Sequence, residues 1–399
     1  MSEYEIAPVA DWATDWDHHH PRWVDDPYPI WEQLRESCPM AHTGRFNEGV
    51  WLPLRFDDVT AIAHDTDTFS NGHDGMTAGG TSPRDPMPPI SSDPPDHGEI
   101  RRAILPFFAP KRMETWAPQI AEHCDELAAA IANRGHGDAA VDYAQHIPVG
   151  AISAILGVDP ADGDRFRIWI RNFSELGDID PELRRRTNDE ITAYLLSEIA
   201  DRRAGPRDDL ISHLTQVEVA GQRLDDDEIR RISVLQLLAG IDTTWSAIGA
   251  SLWHLATHPH DRARLVAEPE LVPTAVEELL RAYAPVHVVR RVTKEAMVNG
   301  VEVAPGDSIM LAFPIACRDP EQFDRPDEVL IDRKQNRHVA FGSGIHRCLG
   351  SNLARLEIQT AVAAWLEHIP DFALQPGATV TWSDGQIRGP RSIPITVNA

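Results

Sequence analysis

The run Phe341-Gly342-Ser343-Gly344-Ile345-His346-Arg347-Cys348-Leu349-Gly350 sets three glycines around a single cysteine. Glycine accepts positive φ and lets backbone approach a ligand closely. Apolar spacing at Leu349, Leu353, Leu356 and Ala363 predicts a helix that starts at Cys348 and stops before Pro370. A thiol at that helix start feels the positive end of the dipole, which favours thiolate. A thiolate so held can be a nucleophile, a metal ligand or a redox thiol. His346 lies two residues from Cys348 in a tight loop, a poor geometry for its general base. Zinc would want three further Cys or His ligands at matching spacings. A lone thiolate against a flat, dry cofactor, as an axial iron ligand, accounts for the loop best.

A second chemistry-bearing stretch is Ala239-Gly240-Ile241-Asp242-Thr243-Thr244. It lies in the middle of a helix expected over 225–258, with Asp225 as N-cap, Glu228 completing a capping box and Pro259 as stop. Such a helix spans roughly 50 Å. Ile232, Leu235, Leu238 and Ile241 spread around its circumference, so it should be central and buried. Gly, paired Thr and a charged Asp are costly there, which suggests a helix opened over a reaction site. A local kink with a satisfied polar group is the plainer alternative. Glu278 and Arg281 share a helix face at i and i+3 and can pair.

Taken together these motifs resemble a bacterial cytochrome P450. The family's haem-binding pattern, Phe-Gly-x-Gly-x-His-x-Cys-x-Gly, is matched at every fixed position from Phe341 to Gly350. Glu-x-x-Arg is matched by Glu278 to Arg281, and Ala-Gly-x-Asp-Thr by Ala239 to Thr243. The likeness covers essentially the whole chain. It implies a mainly α fold, helix-rich with small β-sheets, forming one haem domain over 1–399. Haem b would lie between the long central helix and a C-terminal helix, with Cys348 on its iron. Phe341, Gly342, Gly344 and Gly350 would cradle it. His97, Arg101, Arg291 and His346 would bind its propionates, Arg290 pointing to the other face. Asp242 and Thr243 would deliver protons for oxygen activation. Glu278 and Arg281 would form a structural pair. Its usual third partner is unassigned, because 326–333 reads Pro-Asp-Glu-Val-Leu-Ile-Asp-Arg, with Arg333 the candidate. Trp245 is an uncommon residue after the threonines, and the context 242–246 looks closest to haem domains of reductase-fused members.

The elements that must position these groups follow from pattern. Helices are expected near 97–109, 111–134, 142–156, 161–176, 181–203, 207–217, 225–258 and 261–283, after an earlier one at Pro27–Glu36. Strand-like pieces are Val50–Leu54, Val286–Thr293, Met297–Val298, Val301–Val303 and Ser308–Leu311. The stretch 71–95 is rich in Gly and Pro and reads as a long loop, a lid or a mobile segment. Leu238, Ala239, Thr244, Trp245, Val286, Val288 and Val289 are expected to line a modest apolar pocket, with contributions from 71–95 and 165–180.

The chain has 399 residues and a formal charge of −25, which argues against nucleic-acid or acidic-membrane binding. No apolar run approaches a membrane span. Cys38, Cys124, Cys317 and Cys348 are far apart, which fits a reducing cytoplasm and a monomer without a disulfide scaffold. The resemblance implies insertion of one oxygen atom from O2 into a small apolar or aromatic substrate, by hydroxylation or O-dealkylation. No nucleotide-binding glycine motif follows a strand. Electrons should therefore come from a separate ferredoxin and ferredoxin reductase, docking near Arg101, Arg102, Lys111, Arg112, Arg347 and Arg355. A peroxide-using or non-oxidative haem-thiolate enzyme, or a haem sensor or carrier, is the alternative.

Overall fold

The computed structural model describes residues 7–46, 49–72 and 86–398. The 73–85 part of the expected lid lies outside them. Helices dominate, as the periodicity requires. The central helix, Asp226–Thr257, is capped as expected: Asp225 accepts from the Glu228 N–H, and Glu228 reaches back to the Asp225 N–H at 2.8 Å. Helices Pro181–Ala204 and Ser351–His368 pack on it, and the long helix Pro110–Arg134 packs in turn on Ser351–His368. Among the described residues no helix is long and apolar enough to cross a membrane.

Two expectations about helices change. The 261–283 segment divides into Pro259–Ala267, a short turn Pro269–Leu271, and Val272–Ala282. Pro269 has no N–H to continue the first helix. The central helix does not open at Gly240: it is helical throughout. Gly240 is needed for packing, since a Cβ there would stand 2.2 Å from Ile152 Cδ1 of the crossing helix Ile147–Leu156.

A five-stranded sheet flanks the helices in the order Met40–Thr43, Val50–Pro53, Ser308–Ala312, His287–Val292 and Phe69–Ser70. Only the pairing of Val50–Pro53 with Ser308–Ala312 is parallel. A smaller sheet joins Phe372–Leu374, Pro394–Val397 and His136–Asp138. One large apolar core runs through the helices. A second, built on Trp12, Trp16, Trp23 and Trp31, packs against the outer face of the first sheet, where Val289 and Met310 point.

Candidate active site

One cavity lies between the central helix and the C-terminal helix. It holds about 1560 Å³ of space not filled by protein atoms, its open mouth included. The central helix supplies Leu238, Ala239, Thr243 and Thr244 to its wall, the C-terminal helix Ala354 and Ile358, and strand His287–Val292 with the residues before it Val286, Val288 and Arg290.

The cysteine loop forms the facing wall. Cys348 opens onto the cavity, and so do Phe341, Gly342, His346 and Gly350. Cys348 precedes the helix rather than starting it, because Ser351–His368 begins three residues later. Its N–H donates to the Phe341 carbonyl at 2.8 Å, closing the loop on itself. Burial pushes its thiol up, while the Gly350 backbone N–H, Arg101, Arg347 and Arg355 pull toward thiolate. Gly342 has φ +73° and Gly344 φ +68°. Gly344 sits off the cavity wall, contrary to expectation. A Cβ there would meet the Ala63 carbonyl at 2.2 Å, so its role is to let the loop lie on helix Phe56–His64.

Beside the cysteine loop is a cluster of donors without acceptors. His97 and His346 face each other with ring centroids 4.4 Å apart. Each has a buried Nε2 with no partner among the described residues. Burial lowers both pKa values, and nearby cations lower them further, which favours neutral rings that can donate through one nitrogen. Arg101 lines the cavity and donates to the Arg347 carbonyl at 2.6 Å. Arg290 is 4 % exposed, and among the described residues its guanidinium donates only to the adjacent Val289 carbonyl. Burial holds it down at about 10, with Asp93 opposing weakly.

This corrects the choice between Arg290 and Arg291. Arg290 faces the cavity; Arg291 turns away, donating to the Gly306 carbonyl and to Ser308 Oγ at 3.3 Å. Strand alternation could have found it, because Val286 and Val288 share parity with 290. The same parity removes Val289 from the pocket. Trp245 also leaves it: its ring stacks under the Arg391 guanidinium, 4.4 Å from the centroid.

Thr243 Oγ1 donates to the Ala239 carbonyl at 2.8 Å, which leaves its lone pairs free toward the cavity. Asp242 stands behind that wall, fully buried. Arg391 Nη2 donates to its Oδ1 at 2.7 Å, and the same guanidinium donates to Glu175. Burial pushes both carboxyls up against the pull of Arg391. Neither Arg391 nor Glu175 carries a local sequence signal.

The Glu278–Arg281 pair is confirmed, with bonds of 2.8 and 2.9 Å. Arg333 is its third partner, at 2.9 Å from Glu278 Oε2, and Asn336 adds a fourth contact at 3.2 Å. The expected basic docking patch is largely neutralised. Arg102 pairs with Glu99, Arg112 with Asp208 and Arg355 with Glu277. Lys111 and Arg347 stay exposed without an ion pair among the described residues.

A donor set of one thiol, two neutral imidazoles and two guanidiniums around a large apolar cavity suits a flat anionic metal complex. Among the described residues no three His, Cys, Asp or Glu side chains converge as a protein-only metal site would need. The open Nε2 atoms of His97 and His346 and the largely unused guanidinium of Arg290 are what two carboxylates of a haem would satisfy.

Comparison with known proteins agrees. The Cytochrome P450 family model matches residues 178–381. The mycinamicin IV hydroxylase/epoxidase of Micromonospora griseorubida is 33% identical over 91% of this chain and 94% of its own. This chain belongs to the cytochrome P450 family. The steroid C26-monooxygenase of Mycolicibacterium smegmatis is 35% identical over 80% of this chain and 82% of its own. The crystal structure of CYP109E1 from Bacillus megaterium in complex with testosterone superimposes with a TM-score of 0.81. It is 30% identical, over 94% of this chain and 100% of that one. This P450 is accordingly a haem-using monooxygenase.

Proposed function

We propose that this chain, acting as a single-domain cytoplasmic monomer, binds haem b and oxygenates an apolar organic molecule by hydroxylation or O-dealkylation. Electrons come from a ferredoxin and its reductase. The observation that carries this is the opening of Cys348 and Thr243 onto one apolar cavity, with His97, His346, Arg101 and Arg290 beside the cysteine. When bound, the haem supplies O2 activation, its iron made electron-rich by thiolate.

The chain's own residues do the rest. Cys348 would hold the iron, Arg290 and Arg101 would neutralise the propionates, and the two imidazoles would donate to them. The apolar walls exclude bulk water. Thr243 accepts a hydrogen bond at the reacting side and passes a proton inward. Asp242 carries that proton when it leaves Arg391, and Glu175 holds the guanidinium meanwhile. Lys111 and Arg347, exposed on the cysteine side, meet an acidic ferredoxin.

The test is the reduced carbon monoxide spectrum of the purified protein, followed by turnover with O2 plus a ferredoxin system or with peroxide alone. A thiolate-type red-shifted band and ferredoxin-supported product are expected. Cys348→Ser should abolish both. Turnover with peroxide only would establish the peroxygenase alternative instead.

A further inference from the structure

Two buried amides interrupt the apolar lining. Gln236 and Gln386 both line the cavity, at 9 % and 8 % exposure, and neither side chain makes a hydrogen bond within the described residues. A buried amide without a partner costs about 1–3 kcal/mol, so it is expected to have one when the site is filled.

Their distances from the chemistry can be measured along rigid elements. Gln236 and Thr243 lie on the same face of the unbroken central helix. Seven residues at about 1.5 Å each place Gln236 about 10 Å from Thr243 along the axis. Gln386 is fixed by backbone: its carbonyl accepts from the His287 N–H at 3.0 Å, and Ile387 bridges to Val286. From Val286 the strand runs four residues to Arg290, about 13 Å at ~3.3 Å per residue. Gln236 is thus set back from Thr243, and Gln386 from Arg290.

The charge of these groups decides the chemistry. Amides both donate and accept and carry no charge. A carboxylate or ammonium placed against them would be buried without a counter-ion. A hydroxyl, ketone, lactone or amide would be matched.

We propose that Gln236 and Gln386 form a specificity subsite, and that the substrate is an elongated apolar molecule bearing a neutral hydrogen-bonding group about 10 Å from the position oxidised. This rests on the haem-thiolate reading and makes the substrate longer than the small aromatic that the sequence suggests.

Titration calorimetry of the haem-loaded protein with dodecanamide, dodecane and dodecanoate tests it, and the absorption spectrum of the same sample reports haem separately. Dodecanamide is expected to bind at least about tenfold tighter than the other two. Gln236→Leu should shrink that preference to about twofold or less while leaving dodecane binding intact or tighter. Gln386→Leu provides the same reading from a turn outside the helices should the helix variant fold poorly. Equal affinities in the parent protein, tightest binding of dodecanoate, absence of binding by dodecanamide, or a preference that survives both substitutions would overturn the subsite. A missing haem-thiolate spectrum would instead overturn the reading beneath it.

Discussion

Two buried arginines, nine positions apart, face opposite fates. Arg281 is fully enclosed and saturated. It makes two bonds to Glu278, and one each to the carbonyls of Pro326 and Glu328 and of Cys317. Arg290 is nearly as buried but bonds only its neighbour's carbonyl. A guanidinium carries five donors, so Arg281 spends its set on structure while Arg290 has most of its set in reserve. Satisfied buried charge fixes a fold; unsatisfied buried charge, aimed into a cavity, marks where an anion belongs.

The largest expected effect comes from destroying the saturated site. Arg281→Leu removes two of the bonds to Glu278, leaves that carboxylate with Arg333 as its one cation, strands three carbonyls and should cost about 3–5 kcal/mol, read as a collapse in Tm or in soluble yield. A Tm within a degree or two of the parent would break the contrast.

Glu357 sharpens it from the acidic side. It is buried in the C-terminal helix with an unpartnered Oε1, and burial pushes it up to about 8. The folded state therefore keeps it neutral, while the unfolded chain releases the proton near pH ~4.3. Stability should fall as pH rises between those values, on the order of 1 kcal/mol per pH unit. Glu357→Gln should remove that slope in urea melts at successive pH values. An unchanged slope would place the titration elsewhere.

Arg290→Leu should do the reverse of Arg281→Leu. The haem-free protein should be as stable or more so, because an uncompensated desolvation disappears. Haem retention, measured by transfer to apomyoglobin, should weaken by roughly tenfold or more as charge-assisted bonds are lost. Loss of folding without loss of haem affinity would assign Arg290 to structure. The smallest effect belongs to Arg291→Leu, whose guanidinium is bound on the other side of the sheet. Haem retention should change by less than about twofold, with stability within about 1 kcal/mol. A tenfold loss there would restore the original choice of Arg291.

Much of the site was legible because its information is local. Phe341 to Gly350 is one loop, Asp225 to Thr257 one helix, and Glu278 to Arg281 one helical turn, each encoded by spacing on a single element. Arg290 was legible in principle through strand parity but was passed over for its neighbour. The Arg391 that holds Asp242, by contrast, comes from 149 residues downstream. No periodicity connects a central helix to a tail strand.

The sequence by itself determined the cysteine and its loop, the length and capping of the central helix, and the family. Backbone preference and residue spacing act within a few positions, so they survive without a fold. Only the tertiary structure decided which arginine meets the cavity, that Arg333 completes the Glu278 pair, and that Gly240 and Gly344 serve close packing. It also decided that Gln236 and Gln386 share a cavity. These depend on sheet register and on which helices cross, and a partner is specified there by three-dimensional closeness alone.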